Sequence, residues 1–509
     1  MAMIFSKSLK HSIAIFFISI VILTSCVSSR ISNYHYNQKT AAPQLREDLI
    51  LLQTVLEANH PSLYWYTTKD SIDNAFKAAI GSITDSLTEI EFRNKVASVI
   101  SKIHCGHTAV RFSKDYTKLS DKNKYPLFPL SIKTWQDTMV VVASYFASDS
   151  ILKRGTIITS INGRTAKQLL DSMFNIIGSD GYANTYKSQV ISGNFSNWYK
   201  LAWGLDSIYQ INYLDSLGKN QSVKIKNYTP DTIHIKKPAA DSLKTKQPIV
   251  KAKELTRKEK RQLRIATTRL FTLDSSTNTA YMRVTNFTQN HLRSFFRRSF
   301  KKLEHNKIPN LIIDLRENTG GYMSASNLFT KYLIDKPFKN ADTLASITHA
   351  IKHPYYVRES IKYWFLSHLT SRKLADGRYH IRRAETHYYQ AKTSHHFNGS
   401  IYILQGGYTY SAATMFTSAL KGQKNVTIIG EESGGGYYGN TATYLPTIIL
   451  PNSKLRVLMP TYRMVMDAKR IKDGRGVQPD VPIRATVEAI KKGVDLKLAK
   501  AKELVLRSK

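Results

Sequence analysis

Ile401-Tyr402-Ile403-Leu404-Gln405-Gly406-Gly407-Tyr408-Thr409-Tyr410-Ser411-Ala412-Ala413-Thr414-Met415-Phe416 holds the pattern that decides the fold. Its apolar run reads as a buried strand, Gly406-Gly407 as a turn, and the stretch from Ala412 through Met415, Phe416, Ala419 and Leu420 as a helix. A strand that ends in a glycine turn and delivers a hydroxyl to the first turn of a helix exposes that hydroxyl beside N–H groups with no helical partner. Ser411 is therefore a candidate nucleophile. The competing role is the helix N-cap, which serine fills equally well.

The same alternation continues on both sides. Tyr281 to Val284, Leu311 to Leu315 and Val426 to Ile429 read as strands, and Phe295, Phe296, Phe300 and Leu303 as one helix face. Continuous apolar strands separated by amphipathic helices predict a layered α/β core over residues 270–485, with both sheet faces covered. Upstream, residues 43–120 form an N-terminal helical module, in which Leu45, Leu49, Leu52 and Leu56 share a face and Phe92, Val96, Val99, Ile100 and Ile103 recur at helical spacing. Residues 125–229 change to short β-type runs with turns such as Asn162-Gly163. A dense basic linker, 230–269, separates them from the core, and a basic C-terminal helix, 486–509, follows it.

The N-terminus sets the compartment. Lys7 and Lys10 precede an apolar stretch, Ile13 to Leu23, with the charged, apolar and small-residue zones of a secretory signal. That stretch is short for a bilayer span, which needs about 20 apolar residues. Leu23-Thr24-Ser25-Cys26 resembles the lipobox of bacterial lipoproteins, which implies a signal peptide over 1–25, lipid attachment at Cys26, a tether over 26–42 and a cell-envelope location facing the periplasm. Cys105 is then the one cysteine left in the mature chain, so no internal disulfide forms. The net charge of +37 over 509 residues is spread widely and accompanies no nucleic-acid motif. Anionic lipid headgroups or envelope polymers suit it better.

Four separated stretches fit one chemistry. Asp314-Leu315-Arg316-Glu317-Asn318-Thr319-Gly320-Gly321 follows a buried strand; then come Ser411, Gly430-Glu431-Glu432-Ser433-Gly434-Gly435-Gly436, and Gly474-Arg475-Gly476-Val477-Gln478-Pro479-Asp480. In this order they resemble the tail-specific, or C-terminal-processing, serine peptidases. The resemblance implies a crotonase-like α/β core carrying the nucleophile, with no cofactor or metal. Lys153 to Gly163, followed by an apolar helix through Leu169 and Met173, resembles part of a PDZ domain, a fold that binds extended chain ends at a sheet edge, although its Gly-Leu-Gly-Phe loop is missing.

One departure bears on mechanism. Most of these peptidases pair the serine with a lysine 25 positions later, and that position is Gly436. Lys421 and Lys424 are poor substitutes, since the helix and turn after Ser411 should face them to water. Ile103-His104-Cys105-Gly106-His107-Thr108 instead matches the place where the tricorn-core branch carries a catalytic histidine, which makes His107 the expected base, with His104 weaker. Gly106 stands where that branch has a serine, and Asp473 where it has a carboxylate that orients the histidine. The N–H of Ala412, with that of Gly320 or Gly321, is expected to bind the oxyanion, and Tyr437 and Tyr438 to line the substrate cleft. The expectation is an envelope-anchored serine endopeptidase acting on unfolded or C-terminal polypeptide segments. The alternative is an inactive lipoprotein on the same fold that binds peptides or apolar ligands.

Overall fold

The computed structural model describes residues 34–122, 126–229, 256–288 and 291–507. Cys26, the apolar stretch before it and most of the basic linker lie outside the described residues.

The first module is built on helices α1 (Ala42–Asn59), α2 (Lys69–Gly81) and α3 (Glu89–Ser101). α3 starts on a reciprocal cap in which Thr88 and Glu91 satisfy each other's backbone N–H. Leu45, Leu49, Leu52 and Leu56 face inward as their spacing predicts, against Phe76, Phe92, Val96 and Ile103. That core does not close on itself: it runs on through Ile448, Leu450, Val457, Tyr462 and Met464 of the C-terminal half. Just past His107, Ala109–Arg111 becomes a strand paired antiparallel with Arg456–Leu458, Val110 opposite Val457. The helical module is thus stitched into the core two residues beyond its candidate base.

The middle module is an antiparallel sheet of β1 (Leu130–Trp135), β2 (Thr138–Ser144), β3 (Ile157–Ile161), β4 (Ile208–Leu214) and β5 (Asn220–Lys226), in that spatial order. β3 turns back at Asn162-Gly163, both at positive φ, as a two-residue hairpin requires. Helices α4 (Ala166–Phe174), α5 (Asn184–Gly193) and α6 (Phe195–Trp203) cover the sheet through Leu169, Met173, Ile191 and Tyr199. Between α4 and α5 the chain carries a buried Ser179-Asp180 pair.

The basic linker ends in a helix that leads into the core. Residues 257–268, read as basic linker, form helix α7 (Arg257–Thr268), again started by a reciprocal cap, Thr256 with Glu259. The core sheet orders β6 (Arg269–Asp274), β7 (Thr279–Val284), β8 (Asn310–Asp314), β9 (Ser400–Gln405), β10 (Val426–Gly430) and β11 (Val481–Pro482) as they occur in the chain. The β6–β7 pair is antiparallel and every later pairing is parallel. α8 (Leu292–His305) and α9 (Met323–Thr330) cover one face. Beyond them, α10 (Ser360–Thr370) lies on a separate antiparallel sheet of Thr343–Ser346, Tyr462–Val465 and Gly439–Ala442. α11 (Ala412–Leu420) completes the first face, where Phe329 stacks on Phe296 and Phe416 with ring centroids 4.5 Å apart. Each such buried ring contributes about 1.5–3 kcal/mol. On the opposite face, α12 (Leu496–Arg507) sets Ala501 and Val505 against Ile312, Tyr402, Leu404 and Ile429. The basic C-terminal segment is therefore two helices, Val487–Lys492 and α12, parted where Gly493 adopts φ 69°. β8, β9 and β10 end along the same edge, the usual location of a site in an α/β sheet.

Candidate active site

Ser411 stands at that edge with φ 53° and ψ −122°. A side-chain-bearing residue persists in such a conformation only where its surroundings hold it. Here the Tyr410 N–H donates to the Asn318 carbonyl at 3.0 Å, the Thr414 hydroxyl to the Thr409 carbonyl at 2.9 Å, and the Gly434 N–H to the same carbonyl at 3.0 Å. The Ser411 side chain makes no N-cap bond. Its Oγ lies instead 3.2 Å from His107 Nε2.

Gly320 presses on this turn. A Cβ on Gly320, which has φ 95°, would stand 2.7 Å from the Ser411 Cβ and 2.9 Å from the Ala412 nitrogen, so no side chain fits there. The Gly320 N–H, an expected oxyanion donor, is already engaged by Asn318 Oδ1 at 2.9 Å. The N–H groups of Gly321 and Ala412 have no acceptor among the described residues, which leaves this pair beside the serine.

The far side of the imidazole differs from expectation. His107 Nδ1 is 3.1 Å from the Tyr410 hydroxyl and 3.9 Å from Asp180 Oδ1. Asp180 accepts the Gly106 N–H at 2.8 Å, and its carboxylate also faces the Tyr410 hydroxyl and the Gly436 N–H. The Tyr410 ring lies between His107 and Tyr186, with centroids 4.9 and 5.0 Å away. A Cβ on Gly106 would stand 2.4 Å from the Tyr410 oxygen. The tyrosine hydroxyl thus fills the room that a serine side chain at position 106 would need. Asp473 does not approach His107: its Oδ1 accepts the Arg475 N–H at 2.8 Å, within a loop that Gly474 turns at φ 72°. The Gly474 carbonyl accepts the Tyr182 N–H at 2.8 Å, which fixes this loop in place. Asp473 caps its own turn, and the carboxylate within 4 Å of the histidine is Asp180.

Burial sets the charges. With only 10% of its side chain exposed, His107 is held below the ordinary histidine pKa by desolvation, against which the Asp180 carboxylate pulls upward. Burial pushes Asp180 above the usual carboxylate range, opposed by His107 and by the N–H of Gly106. Tyr410, buried beside Asp180, is pushed well above its usual value and keeps its proton.

The other candidates are placed elsewhere. The Cys105 thiol is buried and pushed up to about 12, which leaves it unreactive. His104 turns its Nδ1 to the Gly181 carbonyl at 2.9 Å, away from Ser411. Lys421 pairs with Asp480, and Lys424 is exposed. A Cβ on Gly436 would stand 2.3 Å from the Gly439 carbonyl oxygen, so the backbone that bridges Gly436 to Gly476 admits no side chain at the dyad-lysine position. Tyr437 lies under the Arg470 guanidinium, 3.9 Å from its ring centroid, and Tyr438 joins an aromatic cluster with Trp65, 6.0 Å away.

Residues 278–483 match the model of peptidase family S41. This core belongs to that family. It is a serine-type peptidase core, with Ser411 at the helix start its mount requires. The fold of nearly the whole chain is similar to that of three solved structures. Mature CPAF aligns over 92% of this chain and 97% of its own, at 13% identity and TM-score 0.61. Mature CPAF complexed with lactacystin aligns over 92% and 98%, at 14% identity and TM-score 0.61. A CPAF mutant aligns over 92% and 97%, at 12% identity and TM-score 0.63. No curated protein sequence matches the chain.

Sequence inspection missed two residues of this site. Asp180 lies in Ser179-Asp180-Gly181, which reads as a surface turn, and the groups that surround it, the Gly106 N–H, His107 and Tyr410, are distant in the chain. Tyr410 sits in plain view beside Ser411, but nothing local to it points at a histidine 303 positions away. The one available signal was the Gly106 departure, which by itself says only that a serine's support is missing on that side of the histidine.

Proposed function

We propose that this peptidase is an envelope-anchored endopeptidase that cuts unfolded or C-terminal polypeptide segments with a Ser411–His107 pair, Tyr410 and Asp180 setting the imidazole. The observation that carries this reading is the 3.2 Å approach of His107 Nε2 to Ser411 Oγ. In the reactive tautomer Nε2 accepts the serine proton while Nδ1–H donates to the Tyr410 oxygen, whose own O–H is directed at Asp180. Attack of Oγ on the peptide carbonyl puts a negative charge on the carbonyl oxygen, where the N–H groups of Gly321 and Ala412 await it. Each such donor is worth about 10²–10³ in rate. The imidazolium then protonates the leaving amine, and a water molecule repeats the sequence on the acyl-enzyme. Anchoring rests on Leu23-Thr24-Ser25-Cys26, and a periplasm-facing position on the absence of acidic residues in Val27-Ser28-Ser29-Arg30.

A fluorophosphonate that reacts only with activated serines tests the pair. The parent and the Lys421→Ala and Lys424→Ala variants should label within a few-fold of one another. Ser411→Ala should not label, and His107→Ala should label slower by about 10²–10⁴-fold. A folded His107→Ala protein that labels at the parental rate would sink the Ser–His mechanism, and a folded parent that never labels would mark a binding protein on this fold. Cys26→Ala should release the chain from the membrane fraction or stall its processing.

A further inference from the structure

Helix α10 is inverted. A helix on a protein surface ordinarily turns its apolar stripe inward, but α10 buries Tyr363 and Ser367 and holds them by polar contacts: Tyr363 Oη donates to the Thr348 carbonyl at 2.8 Å, and Ser367 Oγ lies 3.2 Å from Tyr462 Oη. Its opposite face carries Ile361, Phe365 and Leu369 at four-residue spacing, 83%, 61% and 72% exposed, with Trp364 beside them at 49%. Tyr355, six positions before Ile361, is 91% exposed. Scattered exposed apolar residues are ordinary, but a contiguous stripe opposite a buried face of only Tyr363 and Ser367 marks a surface that something covers.

The charges around the stripe indicate what. Residues 349–392 carry nine Lys and Arg against three Asp and Glu, and exposed Lys352, Arg358, Lys362, Arg372 and Lys373 lie on α10 or within eight residues of it. Tryptophan and bulky aliphatic residues ringed by lysine and arginine suit the interface of an anionic bilayer, where the rings enter the headgroup boundary and the cations meet phosphate. A second copy of this chain fits worse, because it would bring the same basic rim against itself, in molecules of net charge +37. We propose that α10 lies in the surface of an anionic phospholipid membrane, a contact separate from any lipid on Cys26 and independent of the catalytic reading. No helix among the described residues is long and apolar enough to cross a membrane, so this contact would be interfacial.

The test uses the full chain with Cys26→Ser, so that no lipid is attached, and an environment-sensitive fluorophore on Phe365→Cys. The buried Cys105 thiol, pushed up to about 12, escapes labelling. Leu217→Cys, at a middle-module position 78% exposed, is the control. With phosphatidylglycerol vesicles the probe at 365 should shift to the blue and be quenched by brominated acyl chains, while the probe at 217 should do neither. Phosphatidylcholine should give a weaker response. Reversing Lys362, Arg372 and Lys373 to Glu should lower vesicle partitioning at the 365 probe by at least on the order of 10²-fold, from about five-fold per cation. Each substitution is at an exposed position, and melting curves confirm folding. The proposal is overturned if brominated phosphatidylglycerol leaves the 365 probe unquenched. A blue shift that instead grows with protein concentration, without vesicles, would equally overturn it by assigning the face to a second copy.

Discussion

Replacing Tyr410 by phenylalanine removes one oxygen and leaves the ring, buried at 6% exposure between His107 and Tyr186, with all its apolar contacts. The lost oxygen is the group 3.1 Å from His107 Nδ1, and it stands beside the same Asp180 carboxylate that lies 3.9 Å from the imidazole. In the ground state the histidine is neutral, and the bond is an ordinary one, worth about 1 kcal/mol. In the transition state the ring becomes cationic and the same bond becomes charge-assisted, worth about 1.5–3 kcal/mol. Because Tyr410→Phe loses the bond in both states, kcat should fall by the difference, about 0.5–2 kcal/mol or about 2- to 30-fold, with KM nearly unchanged because no substrate contact is touched. Gly106→Ala should reach the same result from the other side, since its Cβ would stand 2.4 Å from the hydroxyl and displace it. The two substitutions remove one interaction and should be non-additive, the double variant losing little more than the worse single one. The assay is steady-state cleavage of an unfolded polypeptide across pH, on variants whose melting curves show a folded chain. A Tyr410→Phe enzyme with parental kcat and an unchanged pH profile would refute the idea that this hydroxyl sets the imidazole.

Because burial depresses His107, the ascending limb of kcat/KM against pH should lie below the ordinary histidine value of about 6.5. Asp180→Asn removes the group that pulls His107 upward, so the limb should move further toward acid while kcat falls; a limb displaced toward base would contradict the assignment. Gly436→Ala should be destabilised by the clash with the Gly439 carbonyl, and Gly436→Lys should not restore a Ser–Lys enzyme; an active, normally stable Gly436→Lys protein would reopen the lysine mechanism. His60, buried with its Nδ1 accepting the Ser62 N–H, has its pKa lowered to about 3 by desolvation. The unfolded chain therefore takes up the proton first, so this contribution to stability is complete above about pH 6.5 and is lost below it, reaching about 2 kcal/mol at about pH 5. His60→Gln should flatten that part of the stability profile, as read by denaturant unfolding.

Local pattern carried the strand–turn–helix setting of Ser411, because strand, glycine turn and helix are consecutive in the chain and each has its own periodicity. Asp473 was a plausible partner by its distance from Gly-Val-Gln-Pro-Asp, yet chain order says nothing of where a carboxylate points, and this one is spent on the Arg475 N–H. Asp180 was illegible for the converse reason, since an Asp-Gly pair that faces water and one that faces a buried imidazole are the same two letters. Charge hid a helix within the linker: the run from Arg257 to Thr268 is basic enough to read as unstructured chain, and its Thr256–Glu259 cap marks where the helix starts.

The pairing of Ala109–Arg111 with Arg456–Leu458 makes competence a late property of this molecule. His107 emerges from the ribosome early and Ser411 304 residues later, but the strand that seats the histidine's module follows the serine by another 45 positions. A nascent or truncated chain ending before Arg456 would possess both reacting groups and still lack the edge that brings them together. On the proposed Ser411–His107 mechanism such a chain stays inert, and activity becomes a report that about the last tenth of the polypeptide has docked.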